Sequence, residues 1–151
     1  MNNELVLICG PVSTRSGYGA HARDIFHSFY DIGKYDIMVA DVRWGDTPRN
    51  ALNIDNQKDK LIIDRLLQGP VLDRQPDIYV DIRIPNEFQQ IGKFNIGITA
   101  GIETTVVSTA WVEGCNKIQS KICLSFSLSL SNAFLGQSPQ RTSIILMSYL
   151  S

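Results

Sequence analysis

One unit near the N-terminus restricts what this chain can fold into. An unbroken apolar run, Leu5-Val6-Leu7-Ile8-Cys9, leads into Gly10-Pro11-Val12-Ser13-Thr14-Arg15-Ser16-Gly17-Tyr18-Gly19, and a helical pattern follows. An apolar run without alternation fits a strand buried on both faces, as in a parallel sheet. Ala22, Ile25, Phe26 and Phe29 recur at i, i+3, i+4 and i+7, which predicts a helix over 19–30. Ser16 is its expected N-cap and Gly33 its expected stop. A buried strand, a glycine-rich loop and a helix N-terminus make an anion site. Unpaired N–H groups and the helix dipole point outward there, and glycine lets a ligand approach the backbone. The unit therefore points to a nucleotide or nucleotide-sugar protein.

The rest of the chain alternates in the same manner. Ile37-Met38-Val39-Ala40 reads as a second strand ending at Asp41, and 44–53 reads as a loop rich in turn formers. A helix is expected over 59–67, with Leu66 and Leu67 on its spacing, and strands over 77–84 and 94–99. Gly101 to Thr105 reads as a loop entering a helix that runs to Ile118. This succession predicts an α/β, Rossmann-like layer sandwich with a mostly parallel sheet over residues 1–119.

Residues 120–151 differ. They hold nine of the thirteen serines and none of the fifteen acids. Leu124 to Leu130 alternates strictly, the pattern of a half-exposed strand. This tail reads either as a serine-rich edge strand with its terminus, or as a segment out of frame or unrelated to what precedes it.

Charge and composition remove several functions. A net charge of -1 speaks against a dedicated nucleic-acid binder. No apolar run approaches the roughly 20 residues of a membrane span. Glu4 and the lack of a basic leader speak against a signal peptide. Cys9, Cys115 and Cys123, an odd number without CxxC spacing, suit reduced thiols of a cytoplasmic protein. His21 and His27 are six apart, so they do not share a helix face as paired metal ligands would, and no metal is expected.

Two phosphate motifs compete for the glycines. Gly17-Tyr18-Gly19-Ala20-His21-Ala22 matches G-x-G-x-x-[GA], and Asp41 lies where an NAD protein places its ribose-binding acid. Seven residues separate Cys9 from Gly17, however, whereas that fingerprint begins directly at the strand. The longer loop, Gly-Pro-x-x-x-x-Ser-Gly-Tyr-Gly, resembles the N-terminal domain of GT-B-fold glycosyltransferases of the group 1 type. Asn95 to Thr105 and Ser108 to Ile118 are similar to later segments of that domain.

The resemblance implies hexosyl transfer from a nucleotide-sugar donor to an acceptor, with no further cofactor. It also implies that this chain is an incomplete, acceptor-side part, inactive alone, whose partner is a missing C-terminal Rossmann-like domain that holds most of the donor. A non-catalytic nucleotide-, phosphate- or NAD-binding module is the alternative. The candidate substrate contacts are Gly17, Tyr18 and Gly19 in the loop, Glu103 beyond a strand end, and Arg83 and Asn86 flanking another strand end. Arg43 and Trp44 follow the second strand, where Trp44 reads either as a sugar platform or as a lid over the core. Trp111 reads as core, and Asp81, out of phase with the apolar face of its strand, has no assigned role.

Overall fold

A computed structural model describes residues 3–69, 71–100, 108–124 and 143–146. Its strands are β1 (Glu4–Gly10), β2 (Tyr35–Asp41), β3 (Ile78–Ile82), β4 (Phe94–Ala100), β5 (Ser120–Leu124) and β6 (Ser143–Leu146). Helices α1 (Gly17–Ile32), α2 (Gln57–Ile63) and α3 (Thr109–Asn116) and a short 3-10 turn, Pro85–Glu87, lie between them. The strands form one sheet in the order β2-β1-β3-β4-β5-β6, every pairing parallel. This is the expected α/β, Rossmann-like layered fold.

The apolar run of β1 sits between β2 and β3, which is why it carries no polar alternation. Ile8 pairs with Val39 on one side and Val80 on the other. These side chains form the main core with Ala22 and Phe26 of α1 and Ile62 of α2. The other face buries Leu7, Cys9 and Tyr79 against Leu67, Leu72 and Ile91. Beside them Phe88, Cys115 and Ile118 form a small cluster of their own. Helix α3 also rests on the 3-10 turn, where Gly114 meets the Pro85 carbonyl.

Helix α1 begins and ends where its signals lie. The Ser16 hydroxyl accepts the Gly19 N–H at 2.9 Å. Gly33 closes the helix at φ 69°, donating to the Tyr30 carbonyl. A left-handed C-cap is the position glycine occupies at least cost.

Helix α2 is shorter than its spacing suggested. It stops at Ile63, and Leu66 forms a parallel bridge with Val39 on the outer edge of β2. Val39 donates to the Arg65 carbonyl and accepts from the Leu67 N–H, both at 2.9 Å. Leu66 then enters the main core and Leu67 the opposite face. Neighbouring residues that point to opposite faces follow the strand period, not the helical one. With this rudimentary strand counted third along the chain, the sheet order becomes third, second, first, fourth, which is that of the doubly wound dinucleotide folds. The direction of strand addition reverses between β1 and β3.

The lower edge of the sheet is fastened by Asp77. Its carboxylate accepts the Leu5 N–H at 2.9 Å and the Lys93 ammonium at 2.6 Å. The Lys93 hydrogen bond, and then the Leu5 N–H, hold this carboxyl below its ordinary range. The unfolded chain therefore takes up the Asp77 proton first as pH falls, and the stabilisation present above the unfolded value is lost through the folded one. Asp77→Asn is expected to flatten the decline of the urea midpoint below about pH 5. An unchanged acid profile in the variant would remove Asp77 from this role.

Candidate functional site

The loop between β1 and α1 is held from three directions. Thr14 is fully buried, and its hydroxyl donates to the Pro11 carbonyl at 2.8 Å and shares a hydrogen bond with Ser16. Arg23, two turns into α1, donates to the carbonyls of Val12 and Thr14 at 2.8 and 2.9 Å. The Ser13 hydroxyl and N–H both bond to Asp41 at the end of β2, and Arg49 forks across that carboxylate and the Ser13 hydroxyl.

The turn-rich segment 44–53 straps the loop from outside. Ala51 donates to the Ser13 carbonyl at 3.0 Å, and Arg15 donates to Pro48 at 3.3 Å and to the Asn50 side chain at 3.1 Å. Fixed in this way, the loop holds the start of α1 in a preorganised position. Little ordering remains to be done when a ligand arrives.

Beside the start of α1 lies a cavity of about 280 Å³. Gly17, Tyr18 and His21 of α1 form one side, and Ile82 at the end of β3 with Ile98, Thr99 and Ala100 of β4 form the other. It opens beside the reversal of strand order, outside the carboxyl ends of the strands, where open α/β sheets bind ligands.

Tyr18 lines the cavity. Its ring stacks on Trp44, with centroids 4.3 Å apart and planes at 30°. Its hydroxyl bonds to the Thr99 hydroxyl at 3.0 Å and accepts the Ala100 N–H at 3.1 Å. Tyr18 thus ties the start of α1 to the end of β4. Trp44, from the strap, backs the ring.

His21 lies one turn along from Gly17 and Tyr18, on the same face of α1. Burial pulls its pKa below the ordinary histidine value, against a smaller opposing effect of Asp24. The imidazole is therefore neutral near pH 7, able to donate from one nitrogen and accept at the other. Among the described residues it has no hydrogen-bond partner.

The six expected contact residues are distributed unevenly. Gly17 and Tyr18 line the cavity. Gly19 is buried beneath the loop, where a β-carbon would run into Thr14 and Pro11. Arg83 forks onto Asp81 with bonds of 2.6 and 2.7 Å, on the sheet face opposite Ile82. Asp81 has no exposed surface and also accepts the Gln89 N–H. Asn86 belongs to the 3-10 turn under α3. Glu103 lies outside the described residues.

The sequence held a signal for His21 and Thr99. His21 falls at i+3 and i+4 from the loop residues, and Thr99 stands at the end of a strand pattern. The Asp41 side chain is largely enclosed, and among the described residues its carboxylate accepts from Ser13 and Arg49. The Cys9 thiol, pushed up in pKa by burial, is a core group rather than a reactive one.

Among the described residues no group of three or more metal-binding side chains occurs, and no helix is long and apolar enough to cross a membrane. Comparison with protein-family models, curated proteins and solved structures returned no match.

Proposed function

We propose that this chain forms the acceptor-side part of a glycosyltransferase, one that moves a hexosyl group from a nucleotide sugar to an acceptor. The observation that carries the reading is the cavity at the reversal of strand order. Its volume, about 280 Å³, falls just below the roughly 300–1,000 Å³ of pockets that enclose drug-sized ligands. That suits one ring of an acceptor and is far too small for a dinucleotide. The Tyr18 ring on the cavity wall, backed by Trp44, offers an aromatic surface that suits a sugar ring or an aromatic ring. The resemblance of the loop to group 1 enzymes supplies the reaction class, and with it a second Rossmann-like domain as the main donor holder.

Asp41 speaks against the NAD-module alternative. A ribose-binding acid turns its carboxylate to the ligand, whereas Oδ2 of Asp41 is taken by the Ser13 hydroxyl and Arg49 and Oδ1 accepts the Ser13 N–H, so the group is committed to fastening the loop.

The test follows Trp44 fluorescence in a Trp111→Phe background. UDP-glucose is expected to bind weakly and without turnover, and NAD not at all. Saturable NAD binding that is lost in Asp41→Ala would overturn the reading, as would sugar transfer by the chain alone.

A further inference from the structure

The acceptor-side reading leaves the acceptor itself open, and the cavity lining narrows it. Ile82, Ile98, Ala100 and the Tyr18 ring present carbon to its interior. Two of the polar groups at hand are bonded to each other, and the Thr99 hydroxyl also reaches the Ala100 carbonyl at 3.4 Å. The Tyr18 and Thr99 hydroxyls share a bond of 3.0 Å, and the Tyr18 oxygen also takes the Ala100 N–H. Among the described lining residues, His21 is the polar side chain that makes no hydrogen bond at all.

The apolar character of the described lining is a poor match for a sugar. A hexopyranose carries hydroxyls around its whole rim, and each one buried without a partner costs about 1–3 kcal/mol. One imidazole serves one hydroxyl, or two at most. An aromatic ring bearing a single hydroxyl has no such deficit. Its faces meet the isoleucines and Tyr18, and its one polar atom meets His21. The volume admits one such ring, or a fused pair.

We infer that the cavity takes an aryl alcohol as the acceptor, its ring held by Ile82, Ile98 and Tyr18 and its hydroxyl bonded to His21. The inference rests on the glycosyltransferase reading and deepens it by naming the acceptor class. Tyr18 lines the cavity and is backed by Trp44, so it contributes carbon surface to the bound acceptor as well as its tie to β4.

The experiment is ligand-observed NMR on the full chain with 4-methylphenol, toluene and methyl glucoside as probes. 4-Methylphenol is expected to bind, toluene roughly fivefold more weakly for want of the hydrogen bond, and methyl glucoside not at all. In His21→Phe the difference between 4-methylphenol and toluene is expected to vanish. The wild-type comparison of the two probes decides the point even where that variant fails to fold. Equal affinity for toluene and 4-methylphenol overturns the role of His21 and with it the inference. Binding of methyl glucoside in preference to 4-methylphenol overturns the acceptor class and leaves the glycosyltransferase reading standing. Displacement of 4-methylphenol by NAD overturns both. Failure of 4-methylphenol to bind at millimolar concentration overturns the inference alone.

Discussion

Arg83→Ala is expected to lower the unfolding free energy by about 3–5 kcal/mol, the loss that follows when one partner of a buried ion pair is removed. Asp81 is wholly enclosed, and the Arg83 side chain is only 14 % exposed. Two short bonds run from the guanidinium to the two carboxylate oxygens, and the Gln89 N–H adds a third. Without Arg83 the carboxylate keeps a single backbone donor in a nearly dry site, beside Cys9 and Tyr79. It must then admit water, take a proton or unfold the segment.

A domain of this size is stable by only about 5–15 kcal/mol, so the variant should show a much lower urea midpoint. Arg83→Lys should recover part of the loss, because it restores the charge without the fork. The double change Asp81→Leu with Arg83→Met should recover more, since it leaves no buried charge behind. A midpoint for Arg83→Ala close to wild type would mean that Asp81 is solvated in solution, and the account of this face would fail.

This pair also marks where the sequence was legible and where it was not. Residues two apart on a strand share a face, so Asp81 and Arg83 were readable as partners. Arg83 at a strand end nevertheless looked like a ligand contact, because nothing local says that a carboxylate beside it is cut off from water. The secondary structure of the unit from Leu5 to Gly33 was legible, although Gly19 packs under the loop instead of lining the cavity. Its strand run, N-cap and C-cap are set by neighbours within a few residues, and each signal has its own local cause.

The end of α2 was not legible. Leu66 and Leu67 fit a helical spacing as well as a strand, and the choice was made by the β2 edge, which supplied Val39 as a partner for Leu66. The segment 44–53 was recognised as loop, but its function as a strap depends on the Pro48 and Ala51 backbone groups, which carry no side-chain signal. At the tail, Ser120–Leu124 joins the sheet in parallel register with β4. The alternating pattern from Ser125 onward lies outside the described residues. The cavity was half legible: Gly17 and Tyr18 stood out as a motif, whereas His21 and Thr99 became site residues only once β4 was set beside the start of α1.

The two glycines of that motif are expected to separate cleanly on substitution. Gly19→Ala should cost about 1–3 kcal/mol, the usual range for overpacking a filled interior. A β-carbon there would lie 2.6 Å from the Thr14 hydroxyl oxygen and 2.8 Å from the Pro11 carbonyl oxygen, and it would also crowd the Thr14 carbonyl. None of these atoms is free to retreat. The Pro11 carbonyl accepts from Thr14, and the Thr14 carbonyl accepts from Arg23. The helix would have to lift from the loop, carrying Tyr18 away from Thr99, so affinity for 4-methylphenol should fall along with stability.

At Gly17 an added β-carbon meets nothing within 4 Å, and the backbone there is not left-handed. Gly17→Ala should therefore unfold within about 0.5 kcal/mol of wild type, as a surface change away from special features does. It should still weaken 4-methylphenol, because the new methyl group stands on the cavity wall. Stability and binding measured on both variants make the comparison. Gly19→Ala at wild-type stability would show that the loop yields. Gly17→Ala with unaltered binding would show that the ligand keeps away from this wall, and the glycine would then serve only the turn into α1.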